Sequence, residues 1–146
     1  MTIGCRALLV ASACYVAVTL LSCDIFKPVN RSLSFISAFF GLVGCALGAA
    51  SPFHLVLFQI NNLIFFGAYC LLIGYLIFRS TFLARILGAL MAFGGLGWMT
   101  FVSPRWHYYL SRYNMLPGVL GELSLTLWLL VFGVKTQLWK EQAGAA

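Results

Sequence analysis

The sequence predicts an all-α protein, a polytopic transmembrane helix bundle of about five spans that forms a single domain over residues 1–146. Of these residues 62% are hydrophobic and 8% are charged, which leaves too few polar residues to coat a water-soluble globule. Apolar runs recur along the chain, each close to the roughly 20 residues that a hydrocarbon core requires. Because the runs are continuously apolar, they favour helices over the alternating strands of a membrane barrel.

The first two predicted spans lie on either side of a basic turn. The first, Ala7–Ser22, is bounded by Arg6 and Lys27. No A-x-A-like cleavage site follows it, so an uncleaved helix is predicted. The second, Ser32–Ala50, is predominantly apolar and carries glycines at helical spacing.

The other three spans are separated by a second basic turn and by a polar interval. The third, Leu55–Phe78, and the fourth, Ile86–Val102, flank the basic turn. The interval 103–114 is predicted to be a loop, with a short amphipathic segment on the membrane surface as the alternative. The fifth span, Pro117–Val134, begins at a Pro-Gly pair and is short for a span.

Positive charge is unevenly distributed over the two predicted sides of the membrane. Five spans place six basic residues on one side: Lys27, Arg31, Arg79, Arg85, Lys135 and Lys140. They place three on the other side: Arg6, Arg105 and Arg112. Because cytoplasmic loops carry the excess of Lys and Arg, the sequence predicts a bacterial inner (plasma) membrane protein with its N-terminus outside and its C-terminus in the cytoplasm.

Aromatic residues and glycines predict where the helices meet the membrane surface and one another. The aromatic residues expected at the headgroup level are Trp98, Trp106, Tyr108, Tyr109, Tyr113 and Trp139. Glycines four apart, as at Gly44 and Gly48, let helix backbones approach closely. This pair predicts an internal helix contact, with self-association through Gly44 and Gly48 as the alternative.

The composition also restricts the partners and cofactors. The formal net charge is +6, but the basic residues stand singly or in pairs beside apolar runs, which is typical of topology signals and not of nucleic-acid binding. The five cysteines form no CxxC pair and have no histidine at ligand spacing. No metal, other cofactor or disulfide framework is therefore predicted. Membrane lipids and other membrane proteins are the expected partners.

Four stretches of the chain from Cys23 onward resemble one family. They are DIFKPVNRSLSFISAFFGLV, NNLIFFGAYCLLIGYLIFRSTFLARILGAL, MAFGGLGWM and GELSLTLWLLVFGVK. These motifs are similar to those of the bacterial multi-pass family known as domain of unknown function 4386. The resemblance implies a multi-pass helical membrane protein and supplies no catalytic residues.

Three departures from the family pattern stand out. Members usually have a further helix before the one that corresponds to Ala7–Ser22, and a longer connection than SPFH between the second and third spans. The chain therefore resembles an abbreviated member, in agreement with the outward N-terminus expected from charge. Where the family often has arginine after two phenylalanines of the second span, this chain has Gly41.

Polar residues within or beside the predicted spans form the candidate site. Glu122 lies five residues after Pro117, about 7 to 8 Å inside the outer boundary of the membrane. The third span and the outer loop add His54, Gln59, Asn61, Asn62, Arg105, His107 and Arg112. We expect Glu122 to face Asn62 or Gln59 inside the bundle. Its carboxylate is expected to pair with Arg105 or Arg112.

This polar cluster has two main interpretations. In the first, its members tie helices together, and each interhelical hydrogen bond contributes about 0.6 kcal/mol. In the second, they line a pocket for a lipid headgroup or amphiphile that opens to the outer leaflet, because apolar walls with a few polar groups suit such ligands. A proton or ion relay is less well supported, since Glu122 has no second deep acid beside it.

An enzyme within the membrane would need a nucleophile and a base. Ser124 and Thr126 offer hydroxyls near Glu122, but such side chains usually bond their own backbone. A catalytic pair would require His107 to reach Ser124, and a metal or haem site would require His54 and His107 to converge on Glu122. The sequence thus predicts a non-enzymatic accessory or lipid- or amphiphile-binding membrane component, with a membrane enzyme or transporter subunit as the alternative.

Overall fold

The described backbone is helical apart from short turns, which confirms the predicted all-α bundle. The structure, a computed structural model, describes the backbone of residues 3–50, 62–100 and 104–144, and the side chains in these ranges except at 3–5, 8, 62 and 104–115. The helices, in chain order, are α1 (Ile3–Phe26), α2 (Arg31–Ala50), α3 (Asn62–Arg79), α4 (Arg85–Met99), α5 (Pro104–Val131) and α6 (Thr136–Gly144).

The lengths and composition of the helices are compatible with a membrane protein. Within the described residues, Leu9–Phe26 of α1 and Arg31–Ala50 of α2 are each long and apolar enough to cross a bilayer. The last part of α5 together with α6 forms a third candidate, although α6 turns away from α5 by 102°. Helices α3 and α4 are apolar but shorter, and part of the third predicted span lies outside the described residues. The number of five spans therefore stays a prediction.

The outward faces of the helices are strongly apolar. Leu130 near the end of α5 exposes 77% of its surface, and Ile86 at the start of α4 exposes 68%. Outward positions on α1 and α2 are occupied by Val10, Leu21, Phe35 and Phe39. Large contiguous apolar patches are rare on soluble monomers and mark membrane or protein contacts. This surface is therefore compatible with contact with lipid.

The interval 103–114, predicted to be a loop, is helical from Pro104 onward, and the loop prediction was wrong. Helix α5 continues through Pro117 without interruption. Proline is favoured at the first position of a helix, because its missing N–H would have no partner there. Pro117 removes one backbone hydrogen bond, but this stretch packs closely on α4. The packing explains why the helix does not end at Pro117.

Each helix packs on the next helix along the chain, from α1 on α2 to α4 on α5. The α3 and α4 backbones approach each other closely where Gly74 faces Gly88. A methyl group placed on Gly74 would lie 2.9 Å from the Gly88 carbonyl oxygen and 2.9 Å from the Ala92 nitrogen. Only a residue without a side chain fits between two backbones at this distance. The predicted close packing through glycines is confirmed at this crossing.

Two glycines of α2 make internal contacts with neighbouring helices. A methyl group placed on Gly44 would lie 3.4 Å from the Phe66 ring of α3, an ordinary contact distance. One placed on Gly41 would lie 2.8 Å from the Thr19 methyl group of α1, so no side chain fits where the family often has arginine. Gly44 thus takes part in the predicted internal contact, and self-association through Gly44 and Gly48 stays a prediction.

One end of the bundle brings together the α1–α2 turn, the α3–α4 turn and α6. The Trp139 indole N–H donates to the Ile25 carbonyl oxygen at 2.9 Å. The Gln142 side-chain oxygen accepts from the Thr81 N–H at 3.2 Å and from its hydroxyl at 3.1 Å. The six basic residues predicted to share one side belong to these segments, and we call this the basic end: Lys27, Arg31, Arg79, Arg85, Lys135 and Lys140.

Helix α6 was not predicted, because the sequence indicated only a tail after residue 134. The chain turns towards α6 at Gly133, whose φ of 64° lies in the left-handed region that favours glycine. The Gly133 N–H donates to the Trp128 carbonyl oxygen at 3.2 Å, which closes the end of α5. A single glycine therefore allows α6 to pack on the basic end.

Replacing Trp139 with phenylalanine is expected to loosen α6. The ring remains, but the indole N–H that bonds the Ile25 carbonyl oxygen is lost. The free energy of unfolding should fall by about 1 kcal/mol. Thermal unfolding in one fixed detergent measures the change. Gln137→Ala, at an exposed position of the same helix, is the control and should change stability by less than about 0.5 kcal/mol. Equal effects of the two variants would contradict a stabilising role for the hydrogen bond between Trp139 and the Ile25 carbonyl oxygen.

Candidate functional site

Glu122 lies on the face of α5 that turns towards the interior of the bundle. Glycines bring this face close to α4: a methyl group placed on Gly121 would lie 2.7 Å from the Leu90 carbonyl oxygen. Further along α5, Leu125 and Leu129 pack against the hydrophobic core. The local sequence therefore places one carboxylate on an otherwise apolar, tightly packed face.

The Glu122 carboxylate has neighbours on three other helices. The Tyr15 hydroxyl of α1 donates a hydrogen bond to its Oε2 atom. The Cys70 sulfur of α3 lies 4.0 Å from its Oε1 atom. The Trp98 side chain of α4 interacts with the same carboxylate. A carboxylate in apolar surroundings is costly unless it accepts hydrogen bonds, so these groups stabilise Glu122 in its position.

Tyr15 is held in place by aromatic packing. Its ring meets the Phe66 ring of α3 edge to face, with the centroids 5.1 Å apart and the planes at 69°. Such pairs contribute about 0.5–1.5 kcal/mol beyond the area they bury. Phe66 also lies beside Gly44 of α2, so the Tyr15 ring packs where α1 and α3 meet next to α2.

A lateral cleft of about 220 Å³ lies beside this hydrogen bond, between α1 and α5. Its lining includes Tyr15, Val18, Tyr69, Met91, Glu122 and Leu125. The walls are mostly apolar, and their polar groups are the Tyr15–Glu122 pair and, about two turns further along α1, Ser22 beside Tyr69. The volume is below the roughly 300 Å³ at which pockets for drug-sized ligands begin, so the lateral cleft can hold part of an amphiphile.

The neighbours of Glu122 show where it lies along the bundle. Its partner Tyr15 is about three turns before the end of α1 at Phe26, and Cys70 is about two and a half turns before the end of α3 at Arg79. At about 1.5 Å per residue, these positions are about 13 to 17 Å from the basic end along the helix axes. The sequence estimate took Pro117 as the start of the helix, and this start was wrong because α5 begins at Pro104.

The predicted pairing of Glu122 with an arginine is not possible within one chain. Arg112 and Arg105 both belong to α5 itself, about three and about five turns before Glu122. The corresponding separations along the helix axis are about 15 and about 25 Å, longer than the two side chains can span. The prediction was wrong because it treated as a flexible loop what is the first half of the same helix.

The predicted amide partners are at the start of α3 or before it. Asn62 is the first residue of α3, about two turns or about 12 Å before Cys70, which lies level with Glu122. Predicted site residues whose side chains lie outside the described part are His54, Gln59, Asn61, Asn62, Arg105, His107 and Arg112. Arg105 and Arg112 are too far along α5 to pair with Glu122, and the roles of the other five residues stay predictions. Among the described side chains, the Glu122 carboxylate contacts Tyr15 and Cys70.

Trp98 was predicted at the headgroup level but is a core residue that exposes only 9% of its surface. Its indole fills the space opposite Gly118 of α5, where an added methyl group would lie 2.5 Å from the ring. The sequence does carry a signal for this, because Trp98 follows Gly94 and Gly95 at helical spacing on a face suited to close packing.

The hydroxyl groups next to Glu122 bond to their own helix, as predicted. Ser124 donates to the Leu120 carbonyl oxygen at 2.6 Å, and Thr126 donates to the Glu122 carbonyl oxygen at 2.8 Å. His107 lies about five turns before Ser124 on α5, about 25 Å along the axis. The serine–histidine pair that an enzyme of this kind would use is therefore not formed within one chain.

Comparison with known proteins identifies the family. The family described as domain of unknown function (DUF4386) matches residues 54–133, which include α3, α4 and Glu122. The chain is also 27% identical over 122 residues to a protein of Archaeoglobus fulgidus named "Uncharacterized protein", a match that covers 76% of this chain and 72% of the relative. No solved structure matches the chain. Because the family match extends over more than half of its length, the chain belongs to the family domain of unknown function 4386.

Proposed function

We propose that the protein is a non-enzymatic membrane component that binds an amphiphile in the lateral cleft. The observation that carries the proposal is the combination of apolar walls with the Tyr15–Glu122 hydrogen bond inside one cleft. Binding sites for apolar ligands typically have this composition, with a few polar groups that fix the orientation of the ligand.

The position of the lateral cleft supports access from the lipid phase. Helix α1 packs mainly on α2, and α5 packs mainly on α4, so the space between α1 and α5 is not closed by a continuous helix contact. On the α1 side the lining residues Cys14 and Val18 are exposed. An amphiphile would enter sideways from the bilayer, without crossing a headgroup region.

The acceptor capacity left on the carboxylate indicates the class of ligand. A carboxylate offers about four acceptor sites; Glu122 uses one for the Tyr15 hydroxyl and also interacts with Trp98, while the Cys70 thiol, 4.0 Å from Oε1, is a weak donor. Oε1 can accept a further hydrogen bond from a hydroxyl or amino group. We therefore propose an amphiphile that carries such a donor next to an apolar chain.

We further propose that the basic end faces the cytoplasm of a prokaryotic cell and that the protein lies in the plasma membrane. The grouping of six basic residues at one end of an apolar bundle supports this orientation. The amphiphile would then be drawn from the interior of that bilayer.

Filling the lateral cleft should reduce labelling by a lipid probe. In Leu125→Trp the larger ring would occupy the cleft that Leu125 lines. The probe is a phosphatidylethanolamine that carries a diazirine in one acyl chain and is present in the bilayer. We expect labelling of the cleft peptides around Val18 to fall roughly tenfold, which corresponds to a loss of about 1.4 kcal/mol of binding free energy. Mass spectrometry of the digested protein measures the labelling.

The matched control is Leu127→Trp, the same substitution at an exposed position on the outside of α5. Labelling of the lateral cleft in this variant should stay within twofold of that in the original chain, a change in binding free energy of at most about 0.4 kcal/mol. If Leu125→Trp and the original chain were labelled equally in the cleft peptides, the proposed amphiphile site would be refuted.

The same hydrogen bond favours a second candidate role, a tie that holds α1 to α5. Tyr15 and Glu122 are 107 residues apart in sequence, and their bond joins the first helix to the fifth. In that case the carboxylate contributes to stability alone, and lipid labelling of the lateral cleft would not depend on it.

A further inference from the structure

A second cavity, of about 620 Å³, lies at the basic end, between the α1–α2 turn and the last turn of α6. Its lining includes Lys27, Asn30, Arg31 and Ser32, with Ala143 from α6 on the opposite side. The cavity shares no lining residue with the lateral cleft, which follows α1 from Cys14 to Ser22 and ends about one and a half turns before Lys27. We call it the basic cavity.

Two cations of the basic cavity converge on one aromatic ring. The Lys27 ammonium lies 5.6 Å from the centre of the Phe35 ring, and the Arg31 guanidinium lies 5.9 Å from it. Lys27 is also paired with Asp24, and this is the one ion pair among the described residues, so Arg31 has no carboxylate partner there. The hydrogen bond to Asp24 raises the pKa of Lys27, whereas the nearby Arg31 charge acts in the opposite direction. An anion in the cavity would relieve this repulsion.

An apolar strip leads from the basic cavity along the outside of α2. Phe35 and Phe39 are four residues apart, so they share one helix face, and both are exposed. A ligand with an anionic head and an apolar tail matches this arrangement better than a free anion does, because it would contact both the two cations and the adjoining apolar strip.

We propose that the basic cavity binds the phosphate of an anionic phospholipid, with Lys27 and Arg31 at the phosphate and the acyl chains along Phe35 and Phe39. Basic pockets on the cytoplasmic side of helix bundles recognise anionic headgroups in this way. The charge of the whole end is complementary to such a lipid, since six basic residues there are opposed only by Asp24 and Glu141. The proposal shares the membrane location proposed above but does not depend on the lateral cleft.

The test compares binding of phosphatidylglycerol and of phosphatidylcholine with the same acyl chains to the full chain in detergent, by native mass spectrometry. Phosphatidylglycerol should bind more tightly. Arg31→Gln should weaken its binding about fivefold, the factor that corresponds to about 1 kcal/mol for one basic residue near an anionic lipid. Arg31→Lys, which keeps the charge, should retain most of the affinity and shows that the position tolerates substitution.

The matched control is Arg85→Gln, which removes the same charge from the same end but from outside the basic cavity. It should change the affinity by less than about twofold. Equal losses in Arg31→Gln and Arg85→Gln would overturn the proposal, because they would indicate diffuse attraction. Displacement of the lipid by inorganic phosphate alone would also overturn it, in favour of a free-phosphate site. Arg31→Gln should weaken phosphatidylglycerol binding to the same extent in the Leu125→Trp background, in which the lateral cleft is filled, so failure of the lateral cleft proposal would be seen separately.

Discussion

Gly74→Ala is expected to destabilise the bundle by about 2 to 3 kcal/mol, at the upper end of the range for overpacked cores. The added methyl group would lie 2.9 Å from the backbone atoms of both Gly88 and Ala92. Because backbone cannot rotate away as a side chain can, α3 and α4 would have to separate and lose contacts along their length. Reversible unfolding in a fixed detergent, followed by circular dichroism, measures the change.

Gly44→Ala is the matched control, since it makes the same chemical change in a helix that also packs on α3. Here the new methyl group would meet only side-chain atoms of Phe65 and Phe66, at 3.4 to 3.5 Å. Replacing a helical glycine with alanine gains roughly 0.5–1 kcal/mol, so this variant should be neutral or slightly more stable. A loss of stability at Gly74 no larger than that at Gly44 would contradict close backbone packing of α3 on α4.

Tyr15→Phe is expected to lower the free energy of unfolding by about 1.5 kcal/mol. The change removes only the hydroxyl that donates to Glu122. Interhelical hydrogen bonds in membranes contribute about 0.6 kcal/mol on average and at most about 1.7 kcal/mol, and a bond to a part-buried carboxyl group is expected near the upper limit. Unfolding of the single and double variants with Glu122→Gln gives the coupling between the two side chains.

The control for this cycle is Tyr75→Phe, which removes a hydroxyl from an exposed tyrosine of α3. It should change stability by less than about 0.5 kcal/mol. A coupling of Tyr15 with Glu122 below about 0.5 kcal/mol would show that the hydrogen bond does not tie α1 to α5.

Lipid labelling of the same variants separates the two roles of Glu122. If the carboxylate only holds helices together, Glu122→Gln will lower stability and leave labelling of the lateral cleft unchanged. If Oε1 accepts a hydrogen bond from an amphiphile, labelling by a probe with an amino headgroup will fall even under conditions in which the variant is fully folded.

Much of the fold was predictable because it depends on residues close together in the chain. The apolar run of α2 and the charges that flank it gave nearly the same helix as the structure, which begins at Arg31 and ends at Ala50. The Asn30 side chain accepts a hydrogen bond from the Leu33 N–H at 3.1 Å and thereby defines where α2 starts, a local interaction typical of helix caps. Local composition likewise indicated that the two basic turns share one side.

The candidate site was predictable only in part. The sequence singled out Glu122 as a carboxylate within an apolar run, and the structure places it inside the bundle. Its predicted arginine partners were chosen by assuming that Pro117 starts the helix, so this pairing was wrong. Composition offered no signal for the continuity of α5 through Pro117, because this depends on packing against α4.

The sequence by itself determined the family, the all-helical fold and the grouping of positive charge, because apolar runs, glycine spacing and flanking charges act over one or two helical turns. Only the tertiary structure decided that Tyr15 of α1 bonds Glu122 of α5 and that Trp139 of α6 bonds the Ile25 carbonyl oxygen of α1. These partners are far apart in the chain and carry no periodic pattern that relates them. Their meeting depends on which helices become neighbours, and this follows from the fit of glycine faces across the whole bundle.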